Sequence, residues 1–352
     1  MDRNSSNFRM EIEKNTKVKV CVTGGAGFIA SWLVMKLLAK GYIVHATLRN
    51  LDDLSKVGLL KGLPNAEERL KLFKADIYEP DSFQSAIEGC EYVFHAATPM
   101  QHNSESTVFK DTTEAAIAGV KSILGSCIKS GTIKRLVYTA SVVSVSPMKE
   151  DGTGYNGFID EFCWTPVDHS IVYGDKFFSD YTTSKTLAEK EVLRFNDKEK
   201  FGLDVVTLAC GLVVGDTVLP HLGQSQEAIL SPVLNNTAHF NHLKLLQEML
   251  GSIPLLHIDD VCDAHIFCIE KPLMNGRFIC ANDYPTLGQV TDYYRQNYPD
   301  LTVTTEGVRE EQDMRVRGGS TKLTDLGFQY KYDIQKMLDD NVKCARKLGA
   351  LH

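Results

Sequence analysis

The segment at residues 21–33, CVTGGAGFIASWL, constrains the fold more than any other, because its glycines separate an apolar run from a helical pattern. Gly24 permits a tight turn, Gly27 lets a pyrophosphate approach the backbone, and Ala30 lets the helix lie close to the strands. The start of the helix offers free N–H groups and the positive end of its dipole to phosphates. The segment therefore predicts a dinucleotide site, with a purely structural turn as the alternative.

The end of the second predicted strand, 42–49, indicates which dinucleotide binds. A site for NAD usually has an acidic residue there, about 20 residues after the glycines, that binds the ribose 2′-hydroxyl. This chain has Arg49 and Asn50 instead, followed by Lys56. Two cations suit a 2′-phosphate, so the sequence predicts NADPH/NADP+ as the cofactor, whereas each cation alone could be a solvated surface charge.

Short β-branched segments alternate with helical patterns through the first half of the chain, which predicts an α/β fold. We expect a Rossmann-type doubly wound parallel sheet with a smaller, interleaved C-terminal substrate lobe. The expected domains are a flexible lead-in at 1–16, an NADP-binding Rossmann domain with the catalytic residues at 17–215, and a mainly substrate-binding lobe at 216–352, parts of which return to the Rossmann domain. The predicted elements are strands at 18–23, 42–49, 68–77, 90–98 and 133–141, a late strand with its exit loop at 203–215, helices at 28–40, 106–130, 181–199 and 332–349, and a strand–helix unit at 254–270.

The sequence YTTSK places Tyr181 and Lys185 four residues apart at the start of a predicted helix, so both side chains lie on one face. A tyrosine hydroxyl has a pKa of about 10, and a nearby ammonium lowers it. Tyr181 could then give a proton to a carbonyl oxygen as hydride arrives, while Lys185 also binds the nicotinamide ribose. Ser141 closes the strand RLVYTAS at the carboxyl edge of the sheet, where its hydroxyl can polarise the same carbonyl.

Other polar residues have competing interpretations. Asp76 closes the third predicted strand and is expected to contact adenine, or else to cap a helix or serve as a loop acid. His95 and His257 lie in apolar surroundings, which is more typical of buried core histidines than of catalytic ones. The sequence HIDD at 257–260 is expected to cap the helix after it. The residues expected to shape a loop are Asp160, Glu161 and Trp164.

Composition excludes several classes of partner. The net charge of −7 argues against nucleic acid or an anionic membrane, because both need a basic face. No apolar run approaches the ~20 residues that cross a bilayer, and the polar N-terminal residues lack the apolar centre of a secretory signal. The nine cysteines are scattered without a Cys-x-x-Cys pair, which favours reduced thiols over disulfides or a metal site. We expect a cytoplasmic protein, monomeric or weakly homodimeric, that binds a small-molecule substrate, no metal and no nucleic acid, without membrane insertion.

Eight segments together have the pattern of a known group of enzymes. They are VTGGAGFIASWLVMKLL, LRN, FKADI, VFHAATP, VYTAS, YTTSKTLAE, LHIDDVCDAHIF and KLTDLGFQYKY. With them, the chain from Lys17 onward resembles the plant dihydroflavonol reductase, anthocyanidin reductase and vestitone reductase group of extended short-chain dehydrogenases/reductases. The resemblance implies a Rossmann lobe, NADPH, and reduction of a carbonyl on a flavonoid-like or other bulky specialised metabolite.

The resemblance also supports site residues by position in its motifs. The expected catalytic residues are Ser141, Tyr181 and Lys185. The expected cofactor-binding residues are Gly24, Gly27, Phe28, Ile29, Arg49, Lys56, Asp76, Ile77, Ala96, Ala97, Thr98, Tyr181, Lys185, Cys210, Gly211, Leu212, Val213 and Ser225. The expected substrate-binding residues are Met100, Ser146 and Pro254.

Departures from the group bear on substrate choice. Dihydroflavonol reductases usually carry an asparagine five residues after the catalytic serine, where this chain has Ser146, and a glutamine where it has Pro254. Both changes remove a longer polar side chain that could extend to a catechol-like ring of the substrate. The loop at 210–216, which is expected to lie at the nicotinamide, lacks the two usual prolines. The segment at 218–225 is closer to the vestitone reductase pattern, and the long apolar segment at 240–254 is expected to form a substrate-facing wall or lid.

The sequence therefore predicts an NADPH-dependent reductase of a ketone on a plant specialised metabolite, of flavonoid, isoflavonoid, alkaloid or terpenoid type. The first alternative is NADP+-dependent oxidation of an alcohol or hemiacetal by the same residues in reverse. A nucleotide-sugar epimerase that retains NAD is a second alternative, against which Arg49 argues. The third alternative is a non-catalytic NADPH-binding protein.

Overall fold

The computed structural model describes residues 17–79, 81–100, 108–149, 154–167, 175–305 and 319–352. The lead-in predicted at 1–16 lies outside the described residues. Among the helices in the described ranges, none combines the length and the apolar composition that crossing a bilayer requires.

Strands and helices alternate along most of the chain. The strands are β1 (Lys19–Thr23), β2 (Ile43–Leu48), β3 (Leu70–Lys74), β4 (Tyr92–His95), β5 (Arg135–Ser141), β6 (Asp204–Cys210), β7 (Leu212–Val214), β8 (Leu255–His257) and β9 (Gly276–Cys280). The helices are α1 (Phe28–Ala39), α2 (Leu54–Lys61), α3 (Ala66–Arg69), α4 (Gln84–Ile87), α5 (Thr112–Ser130), α6 (Lys176–Leu193), α7 (Lys198–Phe201), α8 (Gln224–Leu234), α9 (Thr237–Leu250), α10 (Ile258–Glu270), α11 (Leu287–Asn297), α12 (Lys322–Asp325) and α13 (Ile334–Lys347), with a 3₁₀ turn at Val142–Ser144.

Seven strands form one sheet in the order β3-β2-β1-β4-β5-β6-β9, and β7 and β8 form a separate parallel pair. The pairings of β1 with β2 and β4, of β2 with β3, and of β4 with β5 are parallel. The first six strands thus have the order of a doubly wound nucleotide-binding sheet, whose direction of winding reverses beside β1. The predicted α/β Rossmann-type fold is confirmed.

The central strand β1 reads as an apolar run because helices cover parallel sheets on both faces. Its residues Val20, Cys21 and Val22 are fully buried. On α1, Leu33 and Leu37 are also fully buried, and burial of each such side chain is worth about 1.5–3 kcal/mol. This packing fixes the turn that joins β1 to α1.

The described residues form two compact units, each made of segments that are distant in the chain. The first unit comprises the described parts of 1–139, together with 187–207 and 265–276. The second unit comprises the described parts of 140–186, 208–264 and 277–352.

The structure differs from the sequence expectations in the bounds of some elements. Helix α6 begins at Lys176 and not at 181, because the Asp175 carboxylate accepts the N–H of Phe178 at 2.8 Å and so caps an earlier turn. The late strand and exit loop predicted at 203–215 form β6 and β7, with Gly211 between them. Strand β9 was not predicted individually. The long apolar segment forms α9, whose apolar side chains are buried within the second unit.

Candidate active site

The glycine segment forms the turn between β1 and α1 in the first unit. Gly24 has φ +67°, a conformation that glycine adopts without a steric cost. The N–H of Gly25 donates to the Thr47 carbonyl at 2.8 Å, and a Cβ at Gly25 would lie 2.9 Å from the Cβ of Ala46. The turn is therefore held against β2 so closely that alanine at Gly25 would displace it.

The first turn of α1 is suited to an anion. Gly27 is its N-cap residue and provides no side-chain oxygen for the N–H groups of the first turn, which begins at Phe28 and Ile29. The first turn also contains no acidic residue. The N–H groups and the helix dipole can therefore act on a phosphate, and Ala30, which is 3% exposed, fits the close packing predicted for it.

A polar pair under the glycine turn fixes its distance from β4. The Thr23 hydroxyl lies 3.1 Å from Nδ1 of His95 and accepts the N–H of Ala97 at 3.0 Å. A Cβ at Gly24 would lie 3.1 Å from the Cα of Ala97. His95 is 2% exposed, so the prediction of a buried core histidine is confirmed. The segment 96–98 thus borders the glycine turn within the first unit.

The two cations predicted for the 2′-phosphate differ in their surroundings. Lys56 lies 2.9 Å from the carboxylate of Asp53, which also accepts the Lys56 N–H and the Ser55 hydroxyl. The bond from Ser55, followed by those from Lys56, holds the pKa of Asp53 well below its usual range. The side chain of Arg49 is exposed and makes no hydrogen bond or ion pair with another residue of the described ranges. Of the two cations, Arg49 is therefore the one that shares its charge with no residue in the described ranges.

The half-buried Asp76 lies just after β3. One of its carboxylate oxygens accepts the N–H of Tyr78 at 3.1 Å, which is the loop role that the sequence offered as an alternative. Ile77 is 8% exposed and packs against α5, where a Cβ at Gly119 would lie 2.8 Å from it. Contact of Asp76 and Ile77 with adenine stays a prediction.

The predicted catalytic residues all belong to the second unit. Ser141 is the last residue of β5, and Tyr181 and Lys185 lie one turn apart in α6. A side-chain hydrogen bond joins Ser141 to Tyr181. Lys185 is 3% exposed. The fold thus brings a strand end and a helix face together at Ser141 and Tyr181, as the sequence predicted.

Burial raises the pKa of the Tyr181 phenol, and the hydrogen bond with Ser141 lowers it by less. This direction is opposite to the one predicted from the ammonium of Lys185, because the loss of solvation outweighs the favourable contacts of the phenolate. Tyr181 therefore holds its proton at neutral pH, which suits a proton donor.

The loop after β6, predicted to lie at the nicotinamide, is fixed by backbone hydrogen bonds. Cys210 is buried at the end of β6. The N–H of Gly211 donates to the Cys280 carbonyl at 2.9 Å, and that of Leu212 donates to the Pro254 carbonyl at 2.7 Å. A Cβ at Gly211 would lie 2.7 Å from the same Pro254 oxygen. These bonds hold the loop in place without a proline.

Side chains hold the other end of this loop. Gly215 has φ +113°, its N–H donates to Oδ1 of Asn341 at 3.2 Å, and its carbonyl accepts from Nε2 of Gln226 at 2.6 Å. The Ser225 hydroxyl donates to the Val213 carbonyl at 2.6 Å. Ser225, predicted to bind the cofactor, thus has its proton bonded within the protein.

His257 is a buried core residue, as predicted. Its ring stacks on Tyr332 at 3.7 Å between centroids, and its Nε2 lies 3.4 Å from the Asp340 carboxylate. Burial lowers its pKa, although Asp340 acts in the opposite direction. Its Nδ1 accepts the N–H of Asp259 at 3.1 Å, so the imidazole caps the start of α10. The predicted cap at 257–260 is confirmed, with the histidine as the capping group.

The residues predicted to bind substrate lie in different environments. Met100 is 39% exposed, whereas Ser146 and Pro254 are buried. The Ser146 hydroxyl donates to the Met249 carbonyl in α9 at 2.7 Å and accepts the N–H of Met148 at 3.1 Å. Both hydrogen-bonding roles of this hydroxyl are therefore used within the protein.

Sequence reasoning missed Arg277, which lies in β9 among the apolar residues of GRFIC. Its guanidinium stacks on the Trp164 ring, 3.5 Å from the centroid. Glu161 accepts the N–H of Ile279 at 3.1 Å, so Glu161 and Trp164 shape a loop, as predicted. The signal that could have identified Arg277 is a cation within an otherwise apolar five-residue segment. Other polar residues around the loops that sequence reasoning missed are Thr23, Thr47, Gln226 and Asn341.

The sheet order, the glycine turn and the Ser141–Tyr181 pair define an NAD(P)-dependent oxidoreductase of the short-chain dehydrogenase/reductase class. Residues 20–279 match the NAD dependent epimerase/dehydratase family. A Ginkgo biloba protein, provisionally named an anthocyanidin reductase, is 41% identical over 332 residues, which cover 94% of this chain and 95% of that one. The dihydroflavonol 4-reductase of Callistephus chinensis is 38% identical over 346 residues, which cover 97% and 90%.

Among solved structures, that of vestitone reductase from alfalfa (Medicago sativa) is 37% identical and superposes with a TM-score of 0.76 over 95% of this chain and 99% of that one. The chain belongs to the NAD dependent epimerase/dehydratase family, and within it to the group of plant dihydroflavonol, anthocyanidin and vestitone reductases.

Proposed function

We propose that the chain is an NADPH-dependent reductase of a ketone on a bulky, flavonoid-like plant metabolite. The observation that carries the proposal is the hydrogen-bonded pair of Ser141 and Tyr181, in which the pKa of the phenol is raised. A protonated phenol can donate its proton to a carbonyl oxygen. The names of the relatives, which are those of reductases, support reduction over the reverse reaction, NADP+-dependent oxidation.

The chemistry at the substrate carbonyl depends on these two hydroxyls. Bound NADPH supplies the hydride. The Ser141 hydroxyl donates a hydrogen bond to the carbonyl oxygen and stabilises the charge that develops there. The proton of Tyr181 passes to that oxygen, so that the ketone becomes an alcohol and Tyr181 becomes a phenolate. Lys185, one turn along the same helix, stabilises the phenolate until a proton from solvent restores the phenol.

Several features of the first unit fit an NADPH cofactor. The turn at Gly24 and the uncapped start of α1 suit a pyrophosphate. Arg49 is exposed and pairs with no acidic residue of the described part of the chain, whereas the ammonium of Lys56 pairs with Asp53. We therefore infer that Arg49 contributes more to binding of the 2′-phosphate than Lys56 does.

The substrate class rests on the relatives and on one local difference from dihydroflavonol reductases. The relatives are named as reductases of dihydroflavonols, anthocyanidins and vestitone. At Ser146, where the resemblance to dihydroflavonol reductases implies an asparagine, the hydroxyl is bonded to Met249 and Met148. We therefore propose a ketone that does not require a polar contact from this position, in contrast to a catechol-like dihydroflavonol.

The experiment is a panel of ketones assayed with the purified protein, followed by NADPH oxidation at 340 nm. Isoflavanones, dihydroflavonols and alkaloid and terpenoid ketones would be included. Tyr181→Phe should lower kcat about 10²–10⁴-fold on any active ketone, which is the usual contribution of general acid catalysis. Tyr293→Phe, which removes a hydroxyl that donates to Asp339, is the matched control and should keep its activity.

Two results would reject parts of the proposal. Full activity of Tyr181→Phe would reject the mechanism. Equal KM values for NADPH and NADH in the wild type would reject the assignment of NADPH. Faster turnover of the corresponding alcohols with NADP+ at neutral pH would favour the oxidative alternative.

A further inference from the structure

Arg277 is a buried cation in the second unit, with 6% of its surface exposed. A buried charge is tolerated only where hydrogen bonds replace its hydration. The Trp164 ring covers one face of the guanidinium at 3.5 Å from its centroid. The edges of the guanidinium donate to the loop that contains Trp164 and to the turn that follows β5.

Both terminal nitrogens of Arg277 donate hydrogen bonds to described residues. One nitrogen donates to the carbonyl oxygen of Ser144 at 2.9 Å and to its hydroxyl at 3.2 Å. The other donates to the carbonyl of Glu161 at 3.1 Å and to that of Cys163. A planar guanidinium can reach acceptors in two directions at once, which an ammonium cannot do with fixed geometry.

These contacts lead directly to Ser141. The Ser144 hydroxyl, which accepts from Arg277, donates to the Ser141 carbonyl at 2.7 Å. Ser144, the last residue of the 3₁₀ turn at Val142–Ser144, is therefore bonded both to Arg277 and to Ser141, the N-cap residue of that turn. Ser144 is also held by Thr165, whose N–H donates a hydrogen bond to the Ser144 carbonyl at 3.1 Å.

We propose that Arg277 is a positioning residue that fixes the Ser144 turn and thereby orients the Ser141 hydroxyl towards Tyr181. The inference rests on the proposed function, because it assigns to Arg277 the geometry of that catalytic pair. Arg277 does not itself touch the reacting atoms in this scheme. Its effect reaches them through the hydroxyl of Ser144 and the backbone of Ser141.

The experiment compares Arg277→Lys with a matched control, Arg135→Lys. Arg135 is also a buried arginine, 4% exposed, but it lies in the first unit and donates to the carbonyls of Cys268, Lys271 and Pro272. Arg277→Lys should lower kcat about 10–100-fold, the cost of a misplacement on the order of 1 Å, with the KM for NADPH unchanged. Arg135→Lys should lower the unfolding temperature and leave kcat unchanged.

A pH profile separates positioning from general destabilisation. The hydrogen bond with Ser141 lowers the pKa of Tyr181, so loss of its alignment should raise that pKa further. The ascending limb of the profile for oxidation of the product alcohol with NADP+ should therefore move to higher pH in Arg277→Lys. Ser144→Ala, which removes only the linking hydroxyl, should move the limb in the same direction if Arg277→Lys does not fold.

The inference is overturned if Arg277→Lys and Ser144→Ala both keep the wild-type pH limb. It is also overturned if Arg277→Lys has the same kcat as Arg135→Lys at equal folded fraction. Full activity of Tyr181→Phe would instead reject the proposed function itself. The two failures are therefore distinguishable in one set of variants.

Discussion

Replacement of Gly215 by alanine should destabilise the second unit by about 2–6 kcal/mol, the sum of two costs. Gly215 has φ +113°, where a side chain imposes a backbone strain of about 1–3 kcal/mol. Its Cβ would lie 2.5 Å from Nε2 of His257, and this overpacking adds about 1–3 kcal/mol. The ring cannot retreat freely, because it stacks on Tyr332 at 3.7 Å and accepts the N–H of Asp259.

The control is Gly349→Ala, in the same unit. Gly349 has φ +73° and no atom within 4 Å of a built Cβ, so alanine there should cost only the backbone term of about 1–2 kcal/mol. The chain has two tryptophans, Trp32 in the first unit and Trp164 in the second. In a Trp32→Phe background, urea unfolding followed by Trp164 fluorescence reports on the second unit. If Gly215→Ala loses no more stability than Gly349→Ala, His257 yields to the methyl group and the reasoning is wrong.

Two further predictions concern pH and cofactor choice. Burial raises the pKa of Asp260 to about 6, so the folded protein binds this proton more tightly than the unfolded chain does. The stability gained from this proton is complete below about pH 4, near the pKa of the unfolded chain, and is lost above about pH 6. The difference in unfolding free energy between wild type and Asp260→Asn should change by about 3 kcal/mol across that window, and a difference independent of pH would contradict the assignment. Arg49→Ala should raise the KM for NADPH about 10–100-fold and leave that for NADH unchanged, since a charge-assisted hydrogen bond is worth about 1.5–3 kcal/mol. Lys56→Ala should have the smaller effect, and equal rises for both cofactors in Arg49→Ala would refute the assignment.

The parts of the fold that the sequence predicted correctly depend on local patterns. The order of strands and helices up to β5 follows from apolar periodicity. The turn at Gly24 was predicted because glycine readily adopts the positive φ that a tight turn needs. The placement of Ser141 at the end of a strand and of Tyr181 in a helix was also predicted correctly, because the local sequence pattern indicates both positions. Each of these features is determined by residues within a few positions of one another.

The parts that were missed depend on contacts between distant residues. The direction of the pKa shift of Tyr181 is set by burial, which neighbouring residues such as Lys185 do not reveal. Strand β9 has five residues and takes its place from pairing in the sheet, which a short apolar run cannot specify. The role of Arg277 depends on a tryptophan and a turn more than 100 positions earlier in the chain.

The parallel pairing of β7 with β8 has an evolutionary consequence. The pairing brings the two ends of the segment 215–254 together through backbone hydrogen bonds, such as that from Leu212 to Pro254. The two ends therefore stay together without help from most of the side chains between them. Helices α8 and α9 therefore form an insert with anchored ends, in which substitutions or changes of length need not alter the strands at its base. Such an insert defines the boundaries at which a chimera between two relatives should be cut.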